Sequence, residues 1–255
     1  MNDLLLRRED AILRIQLNRP AKKNALTAGM YAALAEALRS ANADPGVRAV
    51  LVHGTPEAFT AGNDLQDFLA NPPTGDAAPV MEFLHALSHV EKPFVAAVTG
   101  VAIGVGTTML LHCDLVYAAE DARFALPFVN LGLCPEAASS LLLPAIAGYQ
   151  RAAELLLLGE PFDAARAREV GIVNEVLAPD LVLTAAEQAA HKLAATPPAA
   201  VRVTKRLMKA QTRAMMEAAL AEELREFLAR LVSPEAKEAF AAFLEKRKPD
   251  FARFG

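Results

Sequence analysis

The sequence predicts an α/β fold: a partly parallel sheet followed by an all-helical C-terminal third. Three observations predict it. Short apolar runs rich in β-branched residues alternate with segments of helical periodicity over the first two thirds. Two of those runs end on glycine turns that open helices, at Phe59-Thr-Ala-Gly-Asn-Asp-Leu-Gln-Asp-Phe68 and within Val98–Asp114. From about residue 180 onward only helical patterns occur.

In chain order, residues 11–17 alternate apolar and polar, the period of a half-buried strand. Asn18–Asn24 is a polar loop containing proline, and Thr27 is placed to cap a helix over 28–42 with Leu34 and Leu38 on one face. Asp44-Pro-Gly46 is a turn, and Val47–His53 a second strand leading to the first glycine turn. Residues 71–79, with three prolines and a glycine, read as a mobile loop. A helix over 80–90 precedes strands at 94–98, 115–118 and 123–125. Leu126–Pro135 is irregular, followed by helices at 137–147, 150–158 and 163–170 and a strand at 173–176. The helical remainder, to about 247, breaks at Thr196-Pro-Pro198 and Ser233-Pro234. A boundary near 195 divides a core, 1–195, from a helical region, 196–255.

Composition narrows the function. With 255 residues, 53% of them hydrophobic, and a net charge of −4, the chain can bury a sizeable core and advertises no nucleic-acid partner. Residues 93–111 run for 19 positions without a charge, but Pro93, three glycines and three threonines argue for a buried strand-turn-helix over a membrane span. The two cysteines, Cys113 and Cys134, and the five histidines have no metal-ligand spacing. The N-terminus lacks a basic and then apolar leader, and Phe251–Gly255 lacks a Ser-Lys-Leu address, so a cytoplasmic protein is expected.

Two strand-to-helix turns can aim two backbone N–H groups at one point. Such a pair holds an oxyanion and makes a thioester α-proton removable. The chain resembles the crotonase superfamily, the enoyl-CoA hydratase/isomerase family, in an ordered set of segments. They are Asn18-Arg-Pro with Asn24-Ala-Leu26, Phe59–Phe68, Lys92–Asp114, Phe124–Glu136, Gly159 with Ala164–Val176, and Phe243–Phe251. The resemblance implies a spiral of ββα units capped by C-terminal helices, and homotrimers or dimers of trimers. It also implies coenzyme A carried within an acyl thioester substrate, with no separate cofactor and no metal. The oxyanion donors map onto the N–H groups of Ala61 and Val105.

The chain departs from the family's hydratases where they carry two catalytic glutamates. Those positions hold Thr108 and Phe128, and neither is a base near neutral pH. The carboxylate that remains is Glu136, in Asn130-Leu-Gly-Leu-Cys-Pro-Glu136, a context similar to the peroxisomal-type Δ3,Δ2-enoyl-CoA isomerases. The resemblance therefore implies double-bond migration with Glu136 as single base. Phe68, Leu126, Phe128 and Leu133 are expected to desolvate it and raise its pKa. Read by pattern alone, Glu136 follows Pro135 at a helix start, where the dipole favours a carboxylate in any case. Substrate contacts are expected from Lys22, Ala61, Gly62, Asn63, Asp64, Leu65, Phe68, Phe128, Asn130 and Lys246, the two lysines facing phosphates and Lys246 reaching ligand bound by its own or a neighbouring subunit. Asp64 also suits a helix cap, and Asn130 suits either the substrate or the ordering of a loop. The rival readings are a hydratase-like enzyme and an acyl-CoA-binding module without turnover.

Overall fold

The computed structural model describes residues 3–73, 75 and 77–254. It opens with the hairpin β1 (Leu4–Glu9) and β2 (Ile12–Leu17), then α1 (Ala28–Ala43), β3 (Ala49–His53), β4 (Ala58–Thr60), α2 (Leu65–Ala70) and α3 (Pro79–Ser88). Next come β5 (Phe94–Val98), β6 (Val101–Ile103), α4 (Val105–Thr108), β7 (Leu115–Ala119), β8 (Arg123–Ala125), α5 (Ser139–Ala147) and α6 (Tyr149–Ala153). A π-turn over Glu154–Leu158 leads into β9 (Phe162–Asp163), α7 (Ala164–Glu169) and β10 (Glu175–Leu177). The last four helices are α8 (Val182–Ala195), α9 (Pro198–Ala210), α10 (Arg213–Leu231) and α11 (Pro234–Leu244).

The strands form two sheets, one of order β1-β2-β3-β5-β7-β10 and one of order β4-β6-β8-β9. Consecutive strands β3/β4, β5/β6 and β7/β8 each put one member in each sheet, and a helical segment follows each pair. This is the expected spiral of ββα turns. In the larger sheet every pairing but β1–β2 is parallel. Every residue of β5 is buried, as a parallel strand covered on both faces requires. Among the described residues no helix is long and apolar enough to cross a membrane.

Several expectations hold at the level of single groups. The Thr27 hydroxyl accepts from Met30 N–H at 3.3 Å, capping α1. The run 93–111 ends in the short buried helix expected, but before it holds two strands, β5 and β6, where one was expected. Others shift. β1 was not expected, because as an edge strand it keeps its last four residues exposed. The three-residue strands β4 and β6 are too short for a periodic signal. A further break falls at Gln211-Thr212, with no proline or glycine to mark it. Of the loop at 71–79, Thr74 and Asp76 lie outside the described residues.

Candidate active site

β4 and β6 are parallel neighbours, with Ala58 opposite Val101, so the two glycine turns emerge side by side. Gly62 has φ +84°, and a Cβ there would stand 2.7 Å from the carbonyl oxygen of Ile103, on the other turn. Gly104 has φ +56° with open space around it, so conformation alone demands glycine there. Val105 then opens α4 in ordinary right-handed geometry and tolerates its Cβ. Gly62→Ala is expected to cost about 1–2 kcal/mol from backbone strain alone, with the clash added, and to lower turnover; urea denaturation and steady-state rates check both.

The hydrogen bonds correct one donor. The N–H of Ala61 donates to the Lys23 carbonyl at 2.9 Å and is spent in holding the turn against the 18–24 loop. Gly62 N–H is taken by the Thr60 hydroxyl at 3.1 Å. Leu26 bridges Asn63 in parallel fashion, donating to Gly62 O at 2.8 Å and accepting from Asp64 N–H at 2.9 Å. That pattern turns the N–H of Asn63 away from Leu26, and it meets no acceptor among the described residues. The available main-chain donor of the first turn is therefore Asn63. On the second turn, Val105 N–H is the first of α4 and has no intrahelical partner.

Side chains lock this geometry. Buried Asn24, at φ +57°, donates to Ala58 O at 2.7 Å and accepts from Arg19 N–H at 2.7 Å. Asp64 caps α2 and pairs with Arg19 at 2.7 Å; burial opposes its charge, but Arg19 and the cap hold its pKa below the usual range. The buried Tyr31 hydroxyl donates to Asn63 Oδ1. Burial, and then the charge of Glu136, keep that phenol protonated.

Lys22, Ala61, Gly62, Asn63, Asp64, Leu65, Phe68, Val105, Phe128 and Asn130 all line one cavity of about 540 Å³. Lys246 does not line it, although Phe243 and Leu244 do. Asn130 Nδ2 donates to Gly159 O at 3.0 Å and Leu158 O at 3.3 Å, so its amide orders a loop at the cavity wall.

Glu136 occupies a tighter adjoining space and is only 6% exposed. The two cavities share Phe68 and Phe227, whose rings meet edge-on with centroids 6.2 Å apart. Of the four residues expected to dry the carboxyl, only Phe68 lines its pocket. Most of the remaining apolar wall comes from α3 and α10, through Val80, Met81, Leu84, Leu220, Leu224 and Phe227, with Pro73 and Ala137 completing it. Glu136 Oε1 is buried with no partner among the described residues. Burial first, and the nearby charge of Glu223 second, push its pKa up to about 8, against a pull from the Thr108 hydroxyl. A deprotonated carboxylate so placed is a strong base for its kind.

Comparison with known proteins matches residues 7–253 to the enoyl-CoA hydratase/isomerase family. The chain is 34% identical to the 2,3-dehydroadipyl-CoA hydratase of Escherichia coli K12, over 98% of this chain and 99% of that protein. It is likewise 34% identical to human enoyl-CoA delta isomerase 2, over 96% of this chain and 64% of the longer human protein. A crystal structure of an enoyl-CoA hydratase/isomerase from Pseudoalteromonas atlantica T6c superposes with a TM-score of 0.93 at 43% identity, covering 98% of this chain and all of that one.

Proposed function

The chain belongs to the enoyl-CoA hydratase/isomerase family, and within it we propose that this enzyme moves a double bond from C3 to C2 of an acyl-CoA thioester. The observation that carries this reading is the dry, unpartnered carboxyl oxygen of Glu136, facing threonine where the hydratases place a glutamate, while the neighbouring buried Glu223 is engaged by two backbone amides. The relatives' names divide between hydratase and isomerase; Thr108, Phe128 and Glu136 support the isomerase reading.

The thioester carbonyl accepts from the N–H groups of Asn63 and Val105. Glu136, ionised, takes a proton from C2, and the electron pair delocalises into a dienolate whose charge rests on the carbonyl oxygen. The same carboxyl returns the proton to C4, leaving the double bond at C2 and the base regenerated. One acid suffices because the proton leaves and returns on one face. The two amide hydrogen bonds strengthen as charge builds on oxygen, each lowering the barrier by roughly 3 kcal/mol. A third cavity of about 440 Å³ shares Asn63 and Phe68 with the first, and it gives the acyl tail room between α1 and α2. Lys22, at the rim of the first cavity, is left to meet the coenzyme A phosphates. The same reading makes the working unit a cytoplasmic homotrimer or pair of trimers, which light scattering on the full chain checks.

Incubation with 3-enoyl-CoA and, separately, 2-enoyl-CoA tests the reaction. Conversion of the first is expected, with hydration of the second at least about a hundred-fold slower, because no second carboxylate is free to activate water. Hydration of 2-enoyl-CoA at a comparable rate would overturn the proposal.

A further inference from the structure

The backbone that carries Glu136 is unusual. Ala137 and Ala138, the next two residues, both sit in the left-handed region, at φ +60° and +55°. Neither is glycine, so each conformation costs on the order of 1–2 kcal/mol and must be imposed from outside. Three groups impose it. The Ser139 hydroxyl donates to Glu136 O at 2.6 Å. His112 Nε2 bonds Ala137 O at 2.7 Å; burial lowers its pKa to about 4, so the ring is neutral and Nε2 is the donor. The third group is Glu223, from α10, whose two carboxylate oxygens accept separately from Ala138 N–H at 2.6 Å and Ser140 N–H at 2.9 Å.

Helix α5 has no side-chain cap of its own. Glu223 supplies one from more than eighty residues away. It also lines the pocket of Glu136, and a buried carboxylate is a costly way to satisfy two amides. Both of its oxygens are committed, so it is not a second base for water.

We propose that Glu223 is the positioning residue of the catalytic base: its carboxylate, delivered by the C-terminal helices, fixes the left-handed Ala137-Ala138 pair and so aims Glu136 at the substrate. The inference rests on Glu136 being that base. A glutamine at 223 presents one acceptor and one NH₂, so one of the two amides faces a donor. It also removes the negative charge that opposes ionisation of Glu136. The remaining groups that sense Glu136 are the Thr108 hydroxyl, the Tyr31 phenol and the Cys134 thiol, with neutral His112 on the adjoining carbonyl.

Glu223→Gln is the test, read in two ways on the full-length protein. Steady-state isomerisation of 3-enoyl-CoA is expected to lose roughly 10–100-fold in kcat from misplacement of the base, with KM little changed. The acid limb of the pH profile is expected to move to lower pH, because the like charge is gone. That shift reports the lost charge alone; misplacement of the base is read from kcat on the alkaline plateau, where Glu136 is ionised in both proteins. Titration of Glu136 by ¹³C NMR in the substrate-free protein gives the second reading, and the midpoint is again expected to fall. Wild-type kcat on that plateau overturns the proposal whether or not the midpoint moves. If Glu136→Gln retained full activity, the base assignment would fail, whereas a loss of kcat in Glu136→Gln but not in Glu223→Gln would fail only the positioning role. Should Glu223→Gln not fold, Glu223→Asp keeps the charge but is too short to reach both amides. It is then expected to lose kcat with the acid limb in place, and wild-type kcat in that variant would also overturn the proposal.

Discussion

Glu136→Gln is expected to abolish isomerisation, lowering kcat by roughly 10²–10⁴-fold with KM little changed. Gln fills the same space between Phe68 and Phe227 and removes only the proton acceptor. The variant carries a second expectation that a merely damaged protein would not show. The pKa of Glu136 is raised from its ordinary 4.5 to about 8, chiefly by burial. Between those two values the folded state holds a proton that the unfolded chain has released. Stability therefore falls as pH rises through that window, by up to about 1.4 kcal/mol per pH unit. A glutamine has no proton to lose. Glu136→Gln is thus expected to be more stable than the wild type at pH 8, by thermal or urea denaturation, while being inactive. Equal stability at pH 8 and full activity would together contradict the buried-base assignment.

Val105→Pro is the second large effect. Val105 is the first residue of α4, the position where proline fits a helix and sacrifices no helical hydrogen bond. The substitution removes one main-chain N–H, and one of two oxyanion donors is worth roughly 10²–10³ in kcat. Val105→Ala keeps the N–H and is expected to stay near the wild-type rate. A proline variant that folds and turns over like the wild type would show that this amide does not hold the oxyanion.

The sequence made the frame of this site legible and hid its details for physical reasons. Gly62 and Gly104 are visible because a positive φ leaves a residue signature. Thr27 and Asp64 are visible because caps favour particular side chains. The donor of the first turn left no such mark, since every residue but proline has an N–H. Only the bond from Ala61 to the Lys23 carbonyl shows that Ala61 is occupied and that the role passes to Asn63. Glu136 could be singled out, but its surroundings could not. Its walls come mostly from α3 and α10, and its backbone is pinned by His112 and Glu223. Those contacts join residues 25 and 85 positions apart, beyond any local pattern. Lys246 does not line the cavity of its own chain, which leaves the ligand of a neighbouring subunit as the contact its segment was expected to make.

The most direct measurement is the pH dependence of kcat/KM for 3-enoyl-CoA with the wild-type enzyme, which reports ionisations of the free protein. Because the base must be ionised, a ten-fold fall per pH unit is expected below a single inflection near 8, with a plateau above it. A profile flat between about pH 5 and 9, or an inflection that persists in Glu136→Gln, would contradict a buried carboxyl as the proton carrier.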